Sequence, residues 1–202
     1  MSDSGQFQQQ IQQTFQQRLN RHRLKVSETE CLRMDLHCHD CNSDVTDELL
    51  GRILRFPETW LKTDDLIACL KEHRCDVITI TNHNNARSCW ELMETGRDIL
   101  PGGEFSCFFK KFDTHLHVLA YGFTPAQEEI LNRLRNDLPD FLTYAAEHDI
   151  PTVLPHPLYV DAGTNGPDPV MYEHLALMFD RFEVLNGQRD VWQNLLTWEW
   201  LD

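Results

Sequence analysis

Long apolar runs are missing from this 202-residue chain. Nothing in it approaches the length of a bilayer-spanning helix, and its start lacks the apolar block of a signal peptide. No membrane association and a cytoplasmic location are the expectations. Paired thiols are missing too. Seven cysteines, at 31, 38, 41, 69, 75, 89 and 107, form no CxxC and are odd in number. That suits reduced thiols and speaks against a disulfide framework or a structural zinc knot. Cys38 and Cys41 flank a histidine pair, but Cys38 should face away from it on a strand. Basic residues are scarce: 18 Lys and Arg stand against 32 Asp and Glu, a net charge of -14. Long nucleic acid is a poor partner for such a surface. A short phosphate substrate stays open, because bound cations can invert a local potential.

What is present suits one soluble domain with a sizeable core, at 41 % hydrophobic residues. Residues 1–30 stand apart as a Gln-rich extension, with Phe7, Ile11, Phe15 and Leu19 at fourfold spacing. They read as a weakly amphipathic helix or as a peripheral extension, the latter slightly preferred. Over 31–202 the pattern alternates. Strands are expected over 34–39, 77–81, 104–109, 116–121, 152–155 and 182–185, with a turn at 110–113 between the third and the fourth. Helices are expected over 64–74 (capped near Thr63), from an Asn84 or Asn85 cap through 94, over 125–148 with a break near Pro139, over 170–179 and over 191–201. The alternation points to a parallel α/β sheet or barrel, whose sites gather at strand C-terminal ends.

Chemistry-bearing residues recur at those ends. Asp35-Leu36-His37-Cys38-His39 sets two imidazoles on one face of a strand, able to grip a metal ion. Ser43-Asp44 follow; Asn82-His83 end the second strand, Glu104 follows Pro101-Gly102-Gly103, and His115 and His117 share the fourth. His156 closes the fifth strand, with Glu183 and Asn186-Gly187 at the sixth. One such residue is ordinarily a hydrogen-bonded structural group. Five strand ends in succession offering His, Asp or Glu imply two or three divalent ions, with zinc, manganese and iron all suited to these donors.

These residues resemble the motifs of the PHP (polymerase and histidinol phosphatase) superfamily, metal-dependent phosphoesterases on a distorted (βα)7 barrel. Its DLHxHxxxSD motif appears as Asp35-Leu-His37-Cys-His39-Asp-Cys-Asn-Ser43-Asp44, and its TDH as Thr81-Asn82-His83. Gly103-Glu104, His117 in His-Val-Leu-Ala-Tyr-Gly, and Pro155-His156-Pro157 supply the later motifs. The 182–189 segment resembles PHP domains joined to glycosyltransferases. The resemblance implies that His37, His39 and Glu104 hold one ion, Asp44 and His83 a second, and Glu104, His117 and His156 a third, with Glu104 bridging. His115 and Asp35 would orient ligands. Asn82 stands where the family has Asp. The family's closing Asp-x-His strand has no counterpart up to Asp202, so the expected fold is a PHP barrel lacking its last strand, in an N-terminal part of a longer protein.

The implied reaction is hydrolysis of a phosphate ester by metal-activated water, with a small phosphorylated substrate and activity falling below about pH 6 as ligands protonate. Arg189 is the preferred phosphate contact and Arg52 or Arg55, in the 47–62 connection, the second choice; Phe56 and Trp60 would line the entrance. A nuclease acting on nucleic-acid ends is the nearest rival. A non-catalytic metal-binding scaffold is the other, supported by Asn82 and the missing motif.

Overall fold

The computed structural model describes residues 3–23, 31–43, 58–158 and 168–202. Its centre is a mixed sheet of four strands in the order β1 (Thr79–Ile80), β2 (Leu100–Phe109), β3 (Thr114–Tyr121) and β4 (Thr152–Val153). β1 runs parallel to β2, whereas β3 is antiparallel to both its neighbours. Parallel bridges add a segment at each edge, Met34 against Val77 and Phe182 against Leu154. The parallel expectation is therefore corrected at β3, and the reversal falls at the turn expected over 110–113. A single-turn 3-10 connection (Lys110–Phe112) with Asp113 at φ 48° folds β2 directly back on itself, which no helical crossover could do.

The sheet is open. No closed (βα)7 barrel is formed by the described residues. The two edge segments instead face each other across a cavity of about 720 Å³ lined by Met34, Leu36, His37, Val153, Phe182 and Leu185. The expected strands at 34–39 and 182–185 are not regular strands either; for 34–39 the reason is local. Side chains take the place of ladder carbonyls: the Cys38 N–H donates to Thr81 Oγ1 (3.0 Å) and the Asp40 N–H to Asn82 Oδ1 (2.9 Å). Backbone pairing survives between them where the Thr81 N–H donates to the Cys38 carbonyl (2.8 Å). Short polar side chains competing for backbone groups leave a strand-like path without a regular ladder.

Alternation in the β2–β3 hairpin sorts its two faces. Phe105, Cys107, Phe109, Val118 and Ala120 point to one side, all buried, and join the main core. That core is closed by helices α2 (Thr63–Glu72), α3 (Arg87–Glu94), α4 (Pro125–Leu134), α5 (Leu138–Glu147) and α6 (Pro169–Met178). Leu66, Ile67 and Leu70 of α2 are buried, as their spacing predicts. Thr63 is not its cap; the hydroxyl donates to Asp40 Oδ2 (2.7 Å) and Lys62 occupies the cap position without a side-chain bond. Nor do Asn84 or Asn85 occupy the cap of α3, which is Ala86. The Ala86 N–H and the Trp90 indole donate to the Glu128 carboxylate from α4 (2.8 and 2.5 Å), a negative charge placed at a helix N-terminus. The 125–148 helix divides as expected, with Pro139 in the first turn of α5.

The Gln-rich segment takes the helical option, α1 (Asp3–Arg23), and packs on the last helix α7 (Val191–Leu201). Phe15 is buried edge-to-face on Trp198, centroids 6.4 Å apart, while Arg18 pairs with Glu199 and Asp202. No helix among the described residues is long and apolar enough to cross a membrane.

Close approach fixes one glycine. A Cβ on Gly102 would lie 2.4 Å from Thr79 Oγ1 and 3.1 Å from the Ile80 carbonyl, so β1 could not pair with β2 undistorted. Gly102→Ala is expected to cost about 1–3 kcal/mol in urea denaturation, the range for overpacking; an unchanged midpoint would show that β1 shifts freely.

Candidate metal centre

The hairpin's other face carries Glu104 on β2 and His117 on β3. In the register Glu104 opposes Leu119 and Ser106 opposes His117, so the two are diagonal neighbours on one face. Glu104 is buried, and its two oxygens divide five histidines between them. Oε2 lies 3.0 Å from His37 Nε2, 3.0 Å from His39 Nε2 and 3.5 Å from His83 Nε2. Oε1 lies 2.9 Å from His117 Nδ1 and 3.1 Å from His156 Nε2. His83 arrives through its parallel bridge to Glu104. His37 and His39 arrive on the segment beside β1, which the Tyr121 hydroxyl fastens to the sheet by donating to the Leu36 carbonyl (2.5 Å).

This arrangement fits divalent cations. The Nε2 atoms of His37 and His39 are 3.0 Å apart, a contact that two neutral lone pairs do not tolerate without a proton or cation between them. Three overlapping sets have donor atoms within 4.8 Å of one another: His37, Glu104 and His156; His39, Glu58 and His83; His83, Glu104 and His117. Of the residues expected as ligands, His37, His39, His83, Glu104, His117 and His156 lie together, but grouped differently from the motif reading. His37 and His39 fall into separate sets, and Asp44 lies outside the described residues, as do Arg52, Arg55 and Phe56. Glu58 was not anticipated. Its Oε2 lies 3.3 Å from His39 Nδ1 and 3.5 Å from His83 Nε2, and accepts from the Ser43 hydroxyl (2.8 Å). Nothing in the 47–62 stretch distinguishes this glutamate by spacing or motif.

Around the cluster, Asp35 accepts the His37 N–H (3.2 Å), an orienting contact through the backbone. Cys38 points away and donates to the Thr79 carbonyl (3.1 Å). Asn82 is buried, but its side chain is taken up by Asp40 and Ser88: Nδ2 donates to Asp40 Oδ1 at 2.7 Å and to Ser88 Oγ at 3.2 Å. Asp40 also accepts from Asn42 N–H and Thr63, so an amide opposite it is the matched group. His115 is exposed and packs on Phe108, centroids 4.8 Å apart. Trp60 is exposed. Arg189 lines a small cavity together with His156 and Glu183. Glu183, at the sixth strand end, contacts His37 Nδ1 (3.0 Å).

Charge follows from this packing. Burial opposes ionisation of Glu104, yet the imidazoles of His117, His37 and His83 hold its carboxyl well below the usual range. Glu58 and Glu183 are also lowered against burial, by His83 and His39 and by His37 respectively. Burial pulls His37 down, but Glu104 and Glu183 more than offset it and push the ring up to about 10. His156 is lowered, with burial the largest cause. His156 also sits at φ 36°, left-handed backbone that costs a residue other than glycine about 1–3 kcal/mol.

Two measurements follow. In metal-free protein, the His37 proton stabilises the fold below pH 6.5 and that contribution is lost as pH rises towards about 10. His156 withdraws stability as pH falls below 6.5, and the lowered carboxylates do so below 4.5. Stability by urea denaturation in chelator should therefore peak near pH 6.5; a flat profile from 6.5 to 9 would contradict the His37 assignment. Asn82→Asp should cost about 3 kcal/mol by setting two carboxylates together in the interior, and adding Asp40→Asn should recover most of it. Strict additivity of the two changes would show that the pair is not coupled.

No protein-family pattern matches this chain, and no curated protein matches it in sequence. Solved structures do. An amidohydrolase from Chromobacterium violaceum, with bound sulfate and no metal, aligns at a TM-score of 0.51 and 15% identity, covering 83% of this chain and 82% of its own. A protein from Bifidobacterium adolescentis, provisionally described as a metal-dependent phosphoesterase, aligns at 0.51 and 12%, covering 84% of this chain and 83% of its own. The chain shares the fold of these hydrolases, and at such identities the likeness is one of fold alone.

Proposed function

We propose that this chain is a PHP-type metal-dependent phosphoesterase domain that hydrolyses a small phosphate ester at the Glu104 cluster. The observation that carries the reading is the convergence of five histidines on one buried carboxylate, with Glu58 beside two of them. His37, His39, His83, His117, His156, Glu104 and Glu58 are the residues that would hold two or three ions; zinc, manganese and iron all accept imidazole with carboxylate. Bound ions would supply an activated water and positive charge for the phosphoryl oxygens. The description of the Bifidobacterium protein agrees with a phosphate-ester substrate.

The chain's own residues have definable tasks. Glu104, with one oxygen towards three histidines and the other towards two, would bridge ions while its low proton affinity keeps it anionic. The histidines must be unprotonated to bind, so acid should empty the site. Arg189, across the small cavity from His156, is the proposed phosphate contact, its planar fork matching phosphate oxygens. Asn82 takes no part in proton transfer on this reading, since its amide is committed to Asp40 and Ser88.

Hydrolysis of p-nitrophenyl phosphate by protein loaded with manganese or zinc tests the proposal. Activity should vanish with chelator and fall as pH drops below about 6. Glu104→Gln should lower kcat by at least about a hundredfold, because the shared ligand is lost. Metal binding without phosphoester hydrolysis, but with hydrolysis of an anilide, would move the chain to amide chemistry. No metal binding at all would overturn the reading.

A further inference from the structure

We propose that Glu183 is the positioning residue for the His37, Glu104 and His156 set, an inference that rests on the metal-centre reading above. Glu183 follows Phe182, and its N–H donates to the Leu154 carbonyl (2.9 Å), which locks it beside the 154–156 segment. Its two carboxylate oxygens then serve different histidines. Oε1 lies 3.0 Å from His37 Nδ1, and Oε2 accepts the backbone N–H of His156 at 2.9 Å. Oε2 also accepts from Asn186 Nδ2 at 3.0 Å. Asn186 is fixed in turn, accepting at its carbonyl from Asn194 Nδ2 (3.0 Å) and donating its N–H to Asn194 Oδ1 (3.1 Å), so the clamp is anchored on α7.

The contacts act on the two histidines in different ways. A proton on His37 Nδ1 donated to Glu183 leaves Nε2 as the metal-facing nitrogen, which is the nitrogen already 3.0 Å from Glu104 Oε2. A carboxylate behind a ligating imidazole fixes its tautomer and raises its basicity. For His156 the contact is with the backbone, held at a left-handed φ of 36°; that conformation points Nε2 to within 3.1 Å of Glu104 Oε1. With both oxygens occupied by N–H donors, Glu183 acts through the histidines. It belongs to none of the candidate ligand sets among the described residues.

Zinc binding to the full chain, measured by competition with a chromophoric chelator, tests this with Glu183→Gln. A glutamine offers one acceptor and one donor, so it cannot accept from His37 and His156 together. The affinity for one zinc equivalent should fall about 10- to 100-fold, with the far-ultraviolet circular dichroism of the metal-free protein unchanged. In zinc-loaded wild-type protein, nitrogen-15 histidine spectra should place the His37 proton on Nδ1 and zinc on Nε2. Wild-type binding with equal affinity in Glu183→Gln would overturn the clamp and leave the metal centre intact, as would a His37 proton on Nε2. A wild-type protein that binds no zinc, manganese or iron would overturn the metal centre and the clamp with it. Should Glu183→Gln not fold, the wild-type spectrum decides alone.

Discussion

Everything around the site answers to one constraint, the charge on Glu104. An ionised carboxylate taken wholly out of water is too costly to persist unless it is compensated at close range. Here the five nearest cationic or donor groups are all imidazoles, none farther than 3.5 Å. A Lys or Arg would neutralise the carboxylate permanently and close it to ligands. Imidazoles compensate conditionally, with a proton or with an ion that they hold jointly with the carboxylate. The same contacts that make Glu104 tolerable in the interior therefore make the cluster exchangeable.

The sheet topology is what allows five rings to reach one carboxylate. An all-parallel arrangement would bring ligands only from strand C-terminal ends, each approaching from its own loop. The antiparallel β3 lets His117 approach from within a strand, diagonal to Glu104 in the hairpin register, while His83 sits on the opposite neighbour through a single bridge. The remaining three histidines lie on segments that border the sheet without forming regular strands. Their backbone groups bond to Thr81 Oγ1, to Asn82 Oδ1 and to Glu183, so the irregularity of the edges and the placement of the histidines have a common cause.

Much of this was legible in the sequence. The alternation of His37 and His39, the Thr81-Asn82-His83 end, Glu104 after two glycines, and His156 between prolines each mark a position by residue type and local spacing. The break at Pro139 was legible for the same reason, since a proline acts locally, and helix α7 falls on the expected 191–201. What escaped depended on long-range pairing. Glu58 carries no local signal; only the fold brings it to His39 and His83. The turn at 110–113 was legible; the antiparallel run of β3 that it imposes conflicts with the parallel order that strand–helix alternation implies. Asn82 read as a lost charge, because its partner Asp40 is 42 residues away in sequence.

That last pair changes what the asparagine at position 82 implies. Taken alone, Asn82 sets a neutral amide beside His83. Taken with Asp40, the contact holds one negative charge: the carboxylate is on the His39 side and the amide on the His83 side. Both neighbours of the contact are cluster histidines, so the buried bond still ties the first motif to the second. A buried amide without an acceptor is costly, and this one has a carboxylate opposite it. Here every acceptor position of Asp40 that is described faces a donor, from Asn42, Thr63 or Asn82. A fully satisfied network of this kind preserves the spacing of His39 and His83, and that spacing is the part of the motif on which ligand geometry depends.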